Sequence, residues 1–302
     1  MSRPAGGAIA RRARGVALGV LADQCFGEPP VTPHPVSLFG QVMRRVEDVI
    51  YDDGRWAGVA HAAVGVGVGA VAGAGLRSVS VATYVSVAQR ALSEAALAVG
   101  DALAAGDLER ARALLPSLVG RDPSSLDDVE VSRAAVESVA ENTVDAVVAP
   151  VAWALAAGAP GPLAYRAINT MDAMVGHRND RYRSYGWASA RLDDVANYLP
   201  ARLTAALVAA ARPRAARAIW RAVRVDAPGH PSPNAGVAEA AFAAALGLRL
   251  GGLNTYGELV ERRVTLGDGR TVRPSDIPAA VTLSRDVTYA LIGCLGLIGT
   301  WR

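Results

Sequence analysis

The sequence predicts an all-α fold, a polytopic integral membrane helical bundle with broken or re-entrant helices and about four to five membrane segments. Three observations carry that prediction. The chain is 51% hydrophobic and only 20% charged, with a mean hydropathy of +0.22, more apolar than an ordinary soluble enzyme. Aromatic residues make up just 5%, so the apolarity comes from Ala, Val, Leu and Gly, which suit closely packed membrane helices. Between Glu137 and Arg202, stretches apolar enough to enter a bilayer alternate with carboxylates, amides and arginines that hydrocarbon rejects. Ionisable groups beside membrane segments are costly, which marks this stretch as a functional-site hypothesis. A soluble all-helical protein is the competing reading.

At 302 residues the chain buries a core comfortably. It is expected to form one catalytic domain over 1–302, with a helical segment outside the membrane near 100–140 and a loop near 258–284. Net charge is +3, and every basic residue is Arg because lysine is absent. That excludes a Walker-type phosphate loop and a pyridoxal-phosphate Schiff base, both of which need Lys. Cys25 and Cys294 lie far apart without a CxxC partner, so they read as small buried hydrophobes rather than a disulfide or zinc site.

Arg11, Arg12 and Arg14 precede a short apolar run, Gly15 to Ala22, superficially like a secretory signal but without a small-x-small cleavage site. It reads as a retained interfacial helix or short first membrane segment. Prolines from Asp23 to Gly40 argue against regular structure there. Trp56 to Leu76 carries no formal charge and, at about 1.5 Å per residue, spans about 31 Å, the thickness of the hydrocarbon core. Gly65, Gly69 and Gly73 share one face of that helix and permit close packing. Residues 79–99 read as another helical run with an Arg90–Glu94 pair, and 101–120 as a polar helix. RDPSSLDD supplies a turn and an N-cap for a long helix from about Val129.

On that helix Arg133, Glu137, Glu141 and Asp145 recur every four residues. They form either a metal-binding carboxylate ladder or a solvated face with one ion pair. The apolar run from Val144 to Leu163 is expected to break at Pro150 and at GAPGP, and broken membrane helices are tolerated where they line a cavity. Asn169 and Asp172 then stand three residues apart, as do Asp194 and Asn197, with Asp193 adjacent and Arg191 and Arg202 flanking. Oxygen-rich clusters beside arginines suit Mg²⁺ holding phosphate oxygens, although helix caps explain many such pairs. The arginine series from Arg212 to Arg224 places its loop in the cytoplasm rather than on nucleic acid, since aromatic interleaving is sparse. Ser232 and Asn234 sit at a turn before a small-residue helix containing Glu239. Residues 260–276, with GDG, read as a hairpin or surface loop, and Val287–Trp301 as a short last membrane helix.

Several phrases in order resemble one family: DxxFGEPP followed by HPV, ESVAENTVDAVVAP, NTMDAMVG with a following RY, ARLDDVANYLPARLT, and SPNAGVAEAA with LGG and Tyr256. They are similar to the CobD/CbiB family of cobalamin biosynthesis, the adenosylcobinamide-phosphate synthases. The likeness runs from Asp23 to about Tyr256. Ala146 departs from it, standing where the family favours glycine.

The resemblance implies a multi-pass protein of the bacterial cell membrane with a cytoplasmic active site, joining a corrin propionate of adenosylcobyric acid to aminopropanol or its phosphate. ATP as co-substrate and Mg²⁺ are implied with it. A carboxylate is a poor acyl donor, so activation as an acyl phosphate would precede attack by the amine, with Mg²⁺ and Arg offsetting phosphoryl charge. Glu141, Asp145, Asp172 and Asp194 are the catalytic candidates, and Glu141, Asp172 and Asp194 the metal candidates. Asn142, Asn169, Tyr182 and Asn197 would orient substrate, Arg121, Arg191 and Arg202 hold phosphates, and His34, Ser232 and Asn234 line the corrinoid site. Expected partners are the corrinoid, the amine and membrane lipid, with no nucleic acid. A homo-oligomer, or other membrane proteins of corrinoid assembly, are further candidates. Two other classes compete: a Mg²⁺-dependent membrane prenyltransferase, which would show two stronger aspartate motifs, and a small transporter or assembly subunit, which internal symmetry would favour.

Overall fold

The computed structural model describes residues 5–32, 34–120, 122–177, 179–256 and 259–300, with side chains for all of these except residue 5 and residues 253–256 and 259–263. In chain order the helices are α1 (Ala5–Phe26), α2 (Pro35–Ile50), α3 (Arg55–Leu76), α4 (Val79–Tyr84), α5 (Gln89–Ala104), α6 (Leu108–Leu114), α7 (Asp128–Thr143), α8 (Ala149–Ala157), α9 (Pro160–Val175), α10 (Trp187–Ala211), α11 (Ala216–Val225) and α12 (Ala235–Leu246). Three strands follow, β1 (Leu248–Tyr256), β2 (Leu259–Leu266) and β3 (Arg270–Thr271), and then α13 (Asp276–Thr300). The fold is the expected all-α membrane bundle. Among the described residues, three helices are long and apolar enough to cross a membrane, Arg55–Leu76, Asp128–Ala157 and Asp276–Thr300, and Ala235–Leu246 is a shorter apolar helix.

The chain packs as two compact units, one of residues 1–88, 149–198 and 292–302, the other of residues 89–148 and 199–291. In the first, α3 lies against α9 along its glycine face. A Cβ at Gly69 would come within 2.6 Å of the Leu163 carbonyl oxygen, and one at Gly65 would collide with the Met171 sulfur. The expected small-residue face is therefore a contact face, and α9 is what it contacts. Trp153 Nε1 on α8 donates to the Ala196 carbonyl on α10 at 3.1 Å, and Arg12 donates to the Ala156 carbonyl near the end of α8 at 3.0 Å. The guanidinium thus answers one of the last carbonyls that a helix leaves unpaired.

The second unit is built on α7 and α12. Every residue from Ala235 to Ala243 is buried, as an all-round apolar small-residue helix requires. Asp127 caps α7 by accepting from Glu130 N at 2.8 Å, as the turn chemistry predicts for an N-cap, and Glu130 answers Asp127 N at 3.0 Å to complete a reciprocal box. The sheet order is β2-β1-β3, antiparallel between β1 and β2 and parallel between β1 and β3.

Several expected boundaries move. Residues 79–99 are not one helix: α4 ends at Tyr84 and α5 begins at Gln89, so neither piece is long enough to span. The Arg90–Glu94 pair does form, at 2.8 Å. The polar helix expected over 101–120 is divided at Gly106, whose φ of 76° suits glycine. Prolines do not interrupt Asp23–Gly40 throughout; α1 continues to Phe26, and Pro35 opens α2 where its missing N–H would be unpaired anyway. Pro150 does not break its helix either. A π turn at Val144–Val148 precedes it and accommodates the ring, while the break expected at GAPGP does occur, at Gly158 with φ 72°. The hairpin begins at Leu248, before the expected residue 260, and the last helix begins at Asp276 rather than Val287, which shortens the expected loop near 258–284.

Candidate active site

In the first unit, α9 and α10 bring together the two oxygen-rich clusters read from sequence. Asn197 Nδ2 donates to Asp193 Oδ2 at 3.1 Å, Asn169 Nδ2 on α9 donates to Asp193 Oδ1 at 3.4 Å, and the Tyr165 hydroxyl donates to Asn197 Oδ1 at 2.8 Å. The centre of the network is therefore Asp193, which in the sequence stands only as a neighbour of the candidate Asp194. Burial pushes its carboxyl above the ordinary carboxylate range, and the Asn197 and Asn169 amides pull the other way. Asp172 stands one turn beyond Asn169 on α9, its carboxylate lying over Gly176, where a Cβ would collide with it. Asp194 is half-buried and pairs with exposed Arg191 at 3.0 Å.

A second acidic cluster, not singled out from sequence, surrounds Tyr182. Glu47 on α2 is buried, and its Oε1 accepts from Arg181 Nη2 at 2.9 Å and from the Tyr182 hydroxyl at 3.0 Å. The Tyr51 hydroxyl donates to the Arg181 carbonyl at 3.0 Å, and the Arg181 guanidinium lies 4.3 Å from the Tyr51 ring centroid. Burial raises the Tyr182 phenol above its ordinary value. No spacing rule could have found Glu47, which is 134 residues from Arg181 on an amphipathic helix.

His34 caps α2: its Nδ1 accepts from Val36 N at 3.3 Å, and Nε2 lies 3.7 Å from Glu28. In the second unit the ladder divides. Arg133 donates to the Gly251 carbonyl, and Glu137 Oε1 accepts from Gly251 N at 2.8 Å, so both backbone polar groups of Gly251 are held. Glu141 is exposed on α7, and Asp145 is half-buried inside the π turn, where the four-residue spacing ends. Asn142 turns back to the Ser138 carbonyl at 2.9 Å. Arg202 donates to Asn234 Oδ1 at 2.8 Å, and Ser232 Oγ accepts from Ala235 N at 3.1 Å at the start of α12. Arg121 lies outside the described residues. Among the described residues, no group of three or more His, Cys, Asp or Glu side chains is placed to hold a metal ion.

Long apolar helices and an acid–amide network define a membrane helical protein equipped for polar chemistry. A family model described as CobD/Cbib protein matches residues 16–284. The chain is 47% identical over 289 residues to the cobalamin biosynthesis protein CobD of Mycobacterium tuberculosis (strain H37Rv), covering 91% of this chain and 92% of that protein. It is 43% identical over 283 residues to its counterpart in Geobacter metallireducens, covering 87% and 88%, and 47% identical over 213 residues to that of Rhodobacter capsulatus, covering 70% and 68%. No solved structure matches the chain. The chain belongs to the CobD/CbiB family, and it is a biosynthetic enzyme of cobalamin formation.

Proposed function

We propose that the enzyme joins a propionate side chain of adenosylcobyric acid to the amine of aminopropanol or its phosphate, in a reaction that consumes ATP. The observation that supports this most directly is the α9–α10 network, in which Asp193 accepts from the amides of Asn169 and Asn197. Amide formation from a carboxylate needs an activated acyl group. In this reading a propionate oxygen attacks the γ-phosphorus of ATP, releasing ADP, and the amine nitrogen then attacks the acyl carbon, releasing inorganic phosphate and a proton.

Mg²⁺ bound to the nucleotide would offset phosphate charge. Asp172 and Asp194 would hold it on the protein side, with Arg191 offered to phosphate oxygens. Asn169 and Asn197, oriented by Asp193, position the reacting groups. Glu141 and Asp145 remain candidates for metal or general-base work, with Asn142 as orienting partner. Arg121 and Arg202 are candidates for phosphate. His34, Ser232 and Asn234 are assigned to the corrinoid, and membrane lipid surrounds the long helices of a multi-pass protein in the bacterial cell membrane whose active site faces the cytoplasm.

The test is direct: detergent-purified protein with adenosylcobyric acid, ATP, Mg²⁺ and amine. Amide product that requires ATP supports the reading. Corrinoid binding without turnover, under conditions where the protein is folded, sinks it.

A further inference from the structure

Between α2, α3, α9 and the link from α4 to α5, the first unit leaves a cavity of about 290 Å³. Phe39 and Val42 of α2, Val68 and Gly69 of α3, and Leu163 and Ala167 of α9 make its walls apolar. The void has a cause in the sequence. Gly69 and Ala167 bring α3 and α9 together by their backbones, which leaves a seam beside α2 with few side chains to fill it. Three polar side chains join the lining: Ser86, Arg166 and Thr170. Ser86 is only 2% exposed, and among the described residues its hydroxyl has no hydrogen-bond partner. A buried O–H left unpaired is costly, so a donor at the wall of a cavity points to an acceptor inside it.

The opening faces outward. Leu38 is 50% and Val68 39% exposed, and Val68 belongs to the helix Arg55–Leu76, which is long and apolar enough to cross a membrane. Outside that face lies hydrocarbon, and apolar cavities of this kind do not fill with water. A helix of another chain is too large for it, because one helical turn, about 10 Å across and about 5.4 Å high, takes up roughly 420 Å³. A hydrocarbon chain is slim enough, since 290 Å³ amounts to roughly ten groups of water size at about 30 Å³ each.

Arg166 adds charge complementarity. Gly69, which packs on Leu163 and Ala167, lies about 10 Å from the α3 end at Leu76. Gly73 packs on Ala159 and Pro160, so α9 runs antiparallel to α3, and side chains on α9 lean toward that same end. The Arg166 guanidinium is thus directed toward the nearer membrane surface, where lipid phosphates lie.

We propose that this cavity is a binding site for one membrane phospholipid. An acyl chain fills the apolar part, its ester carbonyl accepts from the Ser86 hydroxyl, and the anionic phosphodiester lies against Arg166. The lipid is then a held component of the fold rather than solvent. It fills the seam between α2 and the α3–α9 pair. Because Thr170 lines the site next to Asn169, occupancy steadies the helix that supplies an amide to Asp193.

The test is native mass spectrometry of the full chain in detergent, titrated with dioleoyl phosphatidylglycerol. One lipid per chain should bind at least tenfold more tightly than the next. Val68→Trp and Ala72→Trp fill the opening from exposed positions, and each should weaken that first lipid at least tenfold. Val71→Trp, on the same helix but 73% exposed and outside the cavity lining, should leave it unchanged. Arg166→Gln should weaken phosphatidylglycerol but not dioleoylglycerol, which keeps the chains and carbonyls and lacks the phosphate. Thermal unfolding checks that each variant is folded. Successive lipids of equal affinity in the wild type, or the same loss in Val71→Trp as in Val68→Trp, overturn the proposal and leave only the lipid annulus that surrounds any membrane helix. Competition by glycerophosphoglycerol, which has the headgroup and no chains, overturns it too and reduces the site to an anion on Arg166. The titration involves no turnover, so its outcome is independent of the amide-forming reading.

Discussion

Asn197 donates to Asp193 across one turn of α10, at 3.1 Å, and the same amide accepts the Tyr165 hydroxyl from α9. Asn197 is buried, so its amide has few alternatives to these two partners. Asn197→Ala should destabilise the protein by about 1–3 kcal/mol, because it leaves a buried phenol and one carboxylate oxygen with fewer partners. Thermal unfolding in detergent reads this. Asn197→Asp would set a second carboxylate against Asp193 and should be at least as damaging near neutral pH.

Asp194 and Arg191 test the difference between stability and catalysis. Their pair is solvent-exposed on the Arg191 side, so a double-mutant cycle should give a coupling below about 1 kcal/mol. In the proposed reaction, Asp194→Asn should nevertheless lower kcat/KM on the order of a hundredfold, about 2.7 kcal/mol of transition-state stabilisation. Undiminished amide synthesis by that variant removes Asp194 from the catalytic set.

The Glu137–Gly251 bond separates the two readings of the acidic ladder. Glu137→Ala should cost about 1–3 kcal/mol, lost equally with and without Mg²⁺, because the carboxylate holds a backbone N–H. Hydrogen exchange at the Gly251 amide should accelerate in the variant. A midpoint that Mg²⁺ raises in the wild type, but not after this change, would return Glu137 to metal binding.

Tyr182 and Tyr185 give the protein an alkaline limit. Burial and the neighbouring Glu47 carboxylate raise both phenols above the ordinary 10.0. A folded-state pKa above the unfolded one means that the folded state keeps its proton longer, so this stability is complete below about pH 10 and is lost as pH rises beyond it. The midpoint of unfolding should be insensitive to these groups up to about pH 9 and fall above pH 10. Tyr182→Phe should shrink that fall, followed by phenolate absorbance.

Two glycines of α3 should behave oppositely. Gly69→Ala would drive its methyl toward the Leu163 carbonyl at 2.6 Å and should cost about 1–3 kcal/mol, whereas Gly67 has nothing within 4 Å. Gly67→Ala should be neutral or add up to about 1 kcal/mol through helix propensity. Equal effects at both positions in thermal unfolding would contradict the packing of α3 on α9.

The four-residue recurrence of Gly65, Gly69 and Gly73 made the α3 contact face legible, because a helix repeats nearly every four residues. The α7 cap was legible too, since Asp127 and Glu130 act within one turn. What escaped was longer in range or equivocal in pattern. Asp193 and Asp194 are consecutive carboxylates, and only the rotation of α10 toward Asn169 assigns the inward role to Asp193. Glu47 reads as one more charge in RRVED until Arg181 is folded onto it. The π turn at Val144–Val148 also hid the end of the ladder, because a spacing argument assumes an unbroken α-helical register.

The glycine face of α3 has a further consequence. Its contact with α9 is made where side chains are missing, with Gly69 near the Leu163 carbonyl and Gly73 near that of Ala159. Such an interface draws its strength from dispersion and Cα–H···O contacts between backbones, and little from expelling water. Its grip therefore changes little with the medium. The α3–α9 pair should hold its geometry alike in lipid, in detergent micelles and during extraction, when interfaces that depend on the hydrophobic effect lose their driving force.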